Sequence, residues 1–321
     1  MQTVQLALDD IVVEDSRYRL PEQSIVDIDA PLRESIQSLG LVAPIVVHEV
    51  ESDHYHLLDG HARLITARSA GKERIACRLL GHDTPPDELM RFYFLAHRER
   101  IVKTAVSRVR FLQLARTAGV SSDALRDRFL PLLGFEAHQR LVRRCESVAE
   151  LPEIVLAFCH DKNFSLKQCV HLTRHSTALL EWIFHRRERL ALTASIVEEL
   201  SEHIKDYLRA HETSVEAFEQ LPQIAEIVGK DASPQERTKS LRQAVRTLRF
   251  PMLSQVQSDL ETIKEFMHLP KAVELRWDPA LEQRAVELRI RIRDDREWNA
   301  LVEALASGET ERGIHALLER L

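Results

Sequence analysis

The pair Pro85-Pro86 marks a change of period. Ahead of it, short apolar runs alternate with polar turns at strand spacing; from there to about residue 270, apolar positions recur only at helical spacing. A chain patterned this way is neither one sheet nor one bundle. It reads as an α+β multidomain protein: a small mixed α/β domain over 1–86, a helical domain over 87–210, a helical connector over 211–268, and a β-hairpin with helices over 269–321. Length agrees, since 321 residues are two to three times a typical domain of roughly 100–150 residues.

In the first domain, Val4 to Leu6 and Ile11 to Val13 are short apolar patches, and Leu32 to Leu39 has helical spacing closed by Gly40. Pro44 then opens the β-branched run Ile45-Val46-Val47, which pairs as a hairpin with His54 to Leu58 across Glu51-Ser52-Asp53. Asp59-Gly60 turns the chain into a helix, His61 to Ala70, ended by Gly71 before a strand from Arg74 to Leu80. In the helical body, Ser165 to Gln168, Thr213 to Glu216 and Ser233 to Glu236 have capping-box spacing. Phe250-Pro251 breaks one helix and starts another, whose seam Leu253, Val256, Leu260, Ile263 and Met267 suits intramolecular packing. Ala272 to Trp277 and Arg284 to Arg293 alternate again, with Val286, Leu288, Ile290 and Ile292 on one face, before helices from Trp298 to Ala306 and Ile314 to Leu321. A two-stranded hairpin is marginal in water, so those helices or a second chain must complete it, and a homodimer is expected.

Composition narrows the class. With 44% hydrophobic and 29% charged residues and only 9 Gly and 12 Pro, low-complexity and collagen-like readings fall away. No basic segment precedes an apolar run at Met1, and no stretch reaches the roughly 18 apolar residues of a membrane span. Four scattered cysteines fit a reducing compartment, so a cytoplasmic protein without membrane partners is expected.

Charge is segregated. Between Arg91 and Arg144 stand twelve Lys or Arg and four acids, in a chain of formal net charge -6. Eleven of the twelve are Arg, the residue suited to bidentate phosphate and guanine contacts, although a solvated helix face explains charge alone equally well. Inside this segment, Ser122 to Leu132 and Ala137 to Val148 are two short amphipathic helices spaced as in a helix-turn-helix. The second carries Gln139, Arg140, Arg143 and Arg144, side chains able to read adenine and guanine edges in a major groove. The expected partner is double-stranded DNA.

A second candidate lies at Leu57-Leu58-Asp59-Gly60-His61-Ala62-Arg63, a glycine at a strand-to-helix turn followed by His61 and Arg63. A helix start offers unpaired backbone N–H groups and the positive end of its dipole, glycine permits close approach, and Arg63 adds a cationic fork. Such a turn is an anion cradle, though the same residues also serve as a plain structural turn.

The stretch from Leu32 to Val47, then Leu57 to Ala67, then Gly71 and a strand, resembles the N-terminal domain of the ParB partition-protein family, which shares its fold with sulfiredoxin. Ile11 to Arg19 resembles that family's opening strand and basic turn. Leu151-Pro152-Glu153-Ile154-Val155 with Phe164 to Gln168 resembles the segment behind its helix-turn-helix, which puts Gln139 to Arg144 where its recognition helix lies. The likeness covers about the first 175 residues, with a weaker likeness of the C-terminal hairpin to the family's dimerisation domain.

The resemblance implies a nucleoid-associated DNA-binding protein of plasmid or chromosome partition, a homodimer, and a ParA-type ATPase as partner. It also implies CTP, or another nucleotide with Mg, held by Gly60, His61 and Arg63 with Arg100 and Arg19. In the family motif Gly-Glu-Arg-Arg followed by Ala, this chain matches at Gly60, Arg63 and Ala67 and departs at His61 and Ala62. The second motif, Glu-Asn-x-x-Arg, falls on Ala96-His97-Arg98-Glu99-Arg100, where only Arg100 fits. Loss of the acid and amide there argues against nucleotide turnover, so no catalytic residue is assigned. An enzyme of the same superfamily, a small-molecule kinase or a nuclease, is the alternative, and Asp59 or Glu34 would then supply its carboxylate. Cys159, His160, Cys169, His171 and His175 cluster in sequence, but their spacing matches no zinc site, so no metal ligand is expected.

Overall fold

The computed structural model describes residues 2–12, 18, 34, 43–51, 54–270, 272–278, 281–293 and 295–321. Apart from Glu34, the expected helix from Leu32 to Leu39 lies outside them, as does Arg19. The chain divides into two compact units, Met1–His185 and Arg186–Leu321, a division that falls inside the helical segment expected over 87–210.

The first unit begins with a five-stranded sheet: β1 (Gln2–Ala7), β2 (Ile11–Val12), β3 (Ile45–Glu51), β4 (His54–Asp59) and β5 (Arg74–Leu80), in the order β1-β5-β3-β4-β2. The β3–β4 hairpin is antiparallel as the sequence predicts, and β5 returns parallel to β3 after the crossover helix α1 (His61–Ser69). Ile45 and Val47 of β3, Leu57 of β4 and Ile75 and Cys77 of β5 point to one face and meet Leu64 and Ala67 of α1. Burial of each large apolar side chain there is worth about 1.5–3 kcal/mol. Arg68 of α1 reaches back to the carbonyls of Leu8 (2.9 Å) and Ile11 (3.1 Å), tying the first strands to the helix.

Pro86 opens α2 (Pro86–Ile101), where a missing N–H costs nothing. It is followed by α3 (Ala105–Thr117), capped by Thr104, and α4 over 122–132, whose middle, Leu125–Phe129, is π-helical. Aromatic contacts join the three helices: Phe94 of α2, at 5.6 Å between ring centroids, and Phe129 of α4, at 5.8 Å, both meet Phe111 of α3. Then come α5 (Gln139–Ala149), α6 (Glu153–Asp161), α7 (Leu166–Leu172) with the expected Ser165–Gln168 capping box, and α8 (Thr177–Phe184).

The second unit holds α9 (Ala194–Ala210), α10 (Val215–Glu219), α11 (Pro222–Gly229), α12 (Pro234–Arg249), α13 (Pro251–Phe266), the hairpin β6 (Val273–Trp277) and β7 (Val286–Ile290), α14 (Asp295–Leu305) and α15 (Gly308–Arg320). The Ser233–Glu236 capping box is formed, whereas the cap of α10 is Ser214, one residue beyond Thr213, because Ser214 reaches the N–H of Ala217. Leu260 and Met267 of the predicted seam pack inside the unit against Leu275 and Leu317. Among the described residues no helix is long and apolar enough to cross a membrane.

Candidate functional site

The turn between β4 and α1 is built around Gly60, whose backbone is left-handed (φ +106°). A β-carbon there would stand 2.6 Å from Ile45 Cγ2 and 3.2 Å from Arg63 Nε, so only glycine lets the helix start this close to the neighbouring strand. No side chain caps α1 and no acid occupies its first turn, which leaves the positive end of the helix unopposed by its own residues.

Arg63, the expected cationic fork, is turned inward. Its Nη1 donates to the carbonyls of Ala43 (3.0 Å) and Pro44 (2.8 Å), and its Nη2 donates to Asp59 Oδ2 at 2.7 Å. Asp59 at the end of β4 and Arg63 on the first turn of α1 are an i, i+4 pair, both only partly exposed.

The second motif comes to the same place. Backbone geometry at His97 (φ -121°, ψ 18°) interrupts α2 and lets the imidazole lean on Tyr93, ring centroids 4.5 Å apart. His97 Nε2 then lies 3.3 Å from the Leu58 carbonyl and 3.8 Å from Asp59 Oδ1. Burial holds the His97 pKa below the ordinary imidazole value; Asp59 pulls it up in part, while Arg100 and Arg63 press it down. Thus the second motif, at His97, packs against Leu58 and Asp59, the two residues ahead of the Gly60 turn. Arg100 is exposed on the same helix, near enough for its charge to be felt, and His61 is half-buried.

The basic segment sorts into two sets. Arg110 pairs with Glu153, Arg116 with Glu146 and Arg128 with Asp87, while Arg126 meets Asp123 at 2.8 Å and Asp127 at 2.6 Å. Arg108 donates to the Val102 carbonyl at 2.9 Å and lies over the Phe135 ring. The other seven, Arg91, Arg98, Arg100, Lys103, Arg140, Arg143 and Arg144, are exposed and have no ion pair among the described residues.

Three of those seven sit on α5. Its apolar residues Val142, Cys145 and Val148 are buried against the rest of the unit, while Arg140, Arg143 and Arg144 stand on the outer side. The helix starts where His138 Nδ1 accepts the Arg140 N–H at 2.9 Å, two residues later than Ala137. Gln139 is half-buried, its Oε1 enclosed without a hydrogen-bond partner among the described residues, so its side chain is less available than those of the arginines.

The cysteines are core residues. Cys159 of α6 and Cys169 of α7 are fully buried, and the Cys159 thiol is pushed up by its hydrogen bond with Cys169 and by burial. His160 Nδ1 lies 3.0 Å from the Thr104 hydroxyl and 3.3 Å from that of Ser107, securing the start of α3.

Residues 2–92 match the family model described as the ParB N-terminal domain. Among solved structures, the chain is similar to sulfiredoxin from Arabidopsis thaliana at 26% identity, covering 29% of this chain and 98% of that one, with a TM-score of 0.22. It is also similar to the C-terminally truncated chromosome-partitioning protein ParB from Caulobacter crescentus complexed to the centromeric parS site. That match has 13% identity, covers 62% of this chain and 98% of that one, and has a TM-score of 0.31. The same Caulobacter protein complexed with CTP-gamma-S matches at 13% identity over 57% of this chain and 99% of that one, with a TM-score of 0.25. No curated protein matches the chain.

Proposed function

Starting from residues 2–92 as a ParB N-terminal domain, we propose that the chain is a site-specific binder of duplex DNA, in plasmid or chromosome partition or a related role, that holds a nucleotide phosphate at the Gly60 turn. The observation that carries the DNA reading is the sorting of the basic segment. Arg110, Arg116, Arg126 and Arg128 are neutralised by carboxylates, while Arg140, Arg143 and Arg144 stay exposed, without an ion pair among the described residues, on one side of a helix whose other side is core. Unpaired guanidinium groups in a row supply both phosphate neutralisation and base-edge recognition. With α4, α5 forms the helix-turn-helix in this reading, and Lys103 and Arg98 add exposed positive charge.

The Gly60 turn fits a phosphate because an uncapped helix start, with no acid in its own first turn, follows a glycine at a left-handed position where a β-carbon would meet Ile45. Gly60, His61 and Arg63 would hold the group, with Arg100 adding charge. Bound nucleotide would supply the switch between states of the DNA-holding protein. Loss of the motif's acid and amide at Ala96 and His97 favours the binding reading over the enzymatic one.

The hairpin supports a homodimer through the C-terminal module. Val273 and Leu275 of β6 are covered by the helices, but Leu288 and Ile290, their partners across the hairpin, remain about 40% exposed, and no strand pairs the outer edge of β7 among the described residues. A second copy of β7 would cover both. A ParA-type ATPase is the further partner that this role calls for.

Sequencing of DNA co-precipitated with the protein from its own cells tests the reading, with the Arg143→Ala, Arg144→Ala variant as control. A few enriched sites with signal spreading into flanking DNA are expected. Equal recovery by the variant would rule α5 out as the reader.

A further inference from the structure

Of the five residues that cluster from Cys159 to His175, the fold disperses three and gathers two. Cys159 and Cys169 are sealed in the core, and His160 is engaged with the hydroxyls of Thr104 and Ser107. His171 and His175 come together. His171 lies in the last turn of α7, and the backbone continues beyond the helix end in tight turns: the Arg174 N–H donates to the His171 carbonyl at 3.2 Å and the His175 N–H to the Leu172 carbonyl at 3.1 Å. That continuation sets the two imidazoles one helical turn apart, with ring centroids separated by 5.4 Å and ring planes tilted by 56°. We propose that His171 and His175 are the two protein ligands of a binding site for a divalent transition-metal ion of the zinc class, whose remaining coordination positions are filled by water.

Each ring offers a nitrogen within 4.8 Å of the other's. Two nitrogens held by one zinc ion at about 2.0–2.1 Å stand about 3.4 Å apart in a tetrahedral shell, so a small torsion change at either side chain closes the chelate. His175 is 8% exposed and lies between α7 and Ser176, the cap of α8, which fixes its place; half-buried His171 leaves a way in for the ion and its waters. Donor chemistry sets the class of ion. Cys169, two positions before His171, is in the core on the other side of α7, so no thiolate joins the imidazoles. Nitrogen donors with open water positions suit zinc, nickel or copper(II), whereas calcium and magnesium take oxygen ligands. Because α7 packs against α5, an ion that clamps the end of α7 stiffens the support of the helix carrying Arg140, Arg143 and Arg144.

The test is calorimetric titration of zinc chloride into the full-length protein, freed of metal by chelator, at neutral pH. Three variants are compared with wild type: His171→Gln, His175→Gln and, as a control, His315→Gln, which alters an exposed histidine of α15. Matching circular dichroism and melting temperature without metal establish that each variant is folded. The expected result is one zinc ion per chain in wild type and control, with affinity lower by about tenfold or more in His171→Gln and in His175→Gln. Zinc should also raise the melting temperature of wild type and control but of neither pair variant. His171 is half-buried, so His171→Gln carries the test should His175→Gln fail to fold. Unchanged zinc affinity in folded His171→Gln would overturn the pair as ligands and place the ion elsewhere. Calcium bound as tightly as zinc would overturn the nitrogen-donor class, and no zinc binding by wild type would remove the site altogether.

Discussion

Gly60 and Ile45 are in contact so close that residue 60 has no room for a side chain: a β-carbon there would stand 2.6 Å from Ile45 Cγ2 and 3.0 Å from Ile45 Cβ. Ile45 is fully buried in the sheet and cannot move aside, and the φ of +106° at Gly60 is itself costly for any other residue. Gly60→Ala is expected to destabilise the first unit by about 1–3 kcal/mol from backbone strain alone. Urea denaturation checks this, and Gly71→Ala, where a β-carbon meets nothing within 4 Å but φ is also positive, separates strain from the clash with Ile45.

On α5, Arg143→Ala together with Arg144→Ala is expected to weaken duplex binding at every sequence. If each arginine neutralises one phosphate, the slope of log affinity against log salt falls by about 2. Fluorescence anisotropy across a salt series measures it. Arg116→Ala, which removes an arginine already paired with Glu146, should leave the slope as it was.

His97 makes the stability of the first unit depend on pH with a definite sign. Burial keeps its folded pKa below the ordinary 6.5, so above that pH the ring is neutral in both the folded and unfolded states and contributes no pH dependence. As pH falls below the unfolded value, the unfolded chain takes up a proton that the buried ring resists. Stability then drops until the folded value is reached, with a slope of at most about 1.4 kcal/mol per pH unit from this one group. Urea midpoints measured down to about pH 5 should fall less steeply for His97→Gln than for wild type.

All four thiols are expected to resist alkylation in the native protein. Cys77, Cys145, Cys159 and Cys169 are buried, and burial pushes Cys77 up to about 11 and Cys145 up to about 12, far from the thiolate range at neutral pH. Mass spectrometry after iodoacetamide treatment at pH 8 should find no adduct until denaturant is added.

Replacing Leu288 and Ile290 by Asp is expected to lower the mass measured by light scattering from dimer to monomer, with the circular dichroism spectrum retained. A wild-type protein already of monomeric mass would remove the C-terminal dimer.

The sequence by itself determined the order and kind of the elements. The β-branched run at Ile45 and the turn at Gly60 appear as β3 and the start of α1, and the capping boxes at Ser165 and Ser233 are formed as spaced. So are the break at Phe250-Pro251 and the two helices on either side of residues 133–138. These features were legible because periodicity, caps and turns depend on residues within a few positions of one another. The resemblance to the ParB N-terminal domain rested on the same local order.

What only the tertiary structure decided is the employment of the charged groups. Nothing near Arg63 in sequence shows that its guanidinium meets the carbonyls of Ala43 and Pro44, or that His97 reaches Leu58 across 39 positions. Asp59 stood four residues from Arg63 and was readable as a pair, but its shared position between Arg63 and His97 was not. Arg110 and Arg140 look alike in the chain, yet one is buried on Glu153 and the other is exposed, with no ion pair among the described residues. The physical reason is that an ionic partner is selected by distance in space, which the packing of strands and helices sets, whereas a helix or a turn is selected by the backbone torsions and hydrogen bonds of its own few residues.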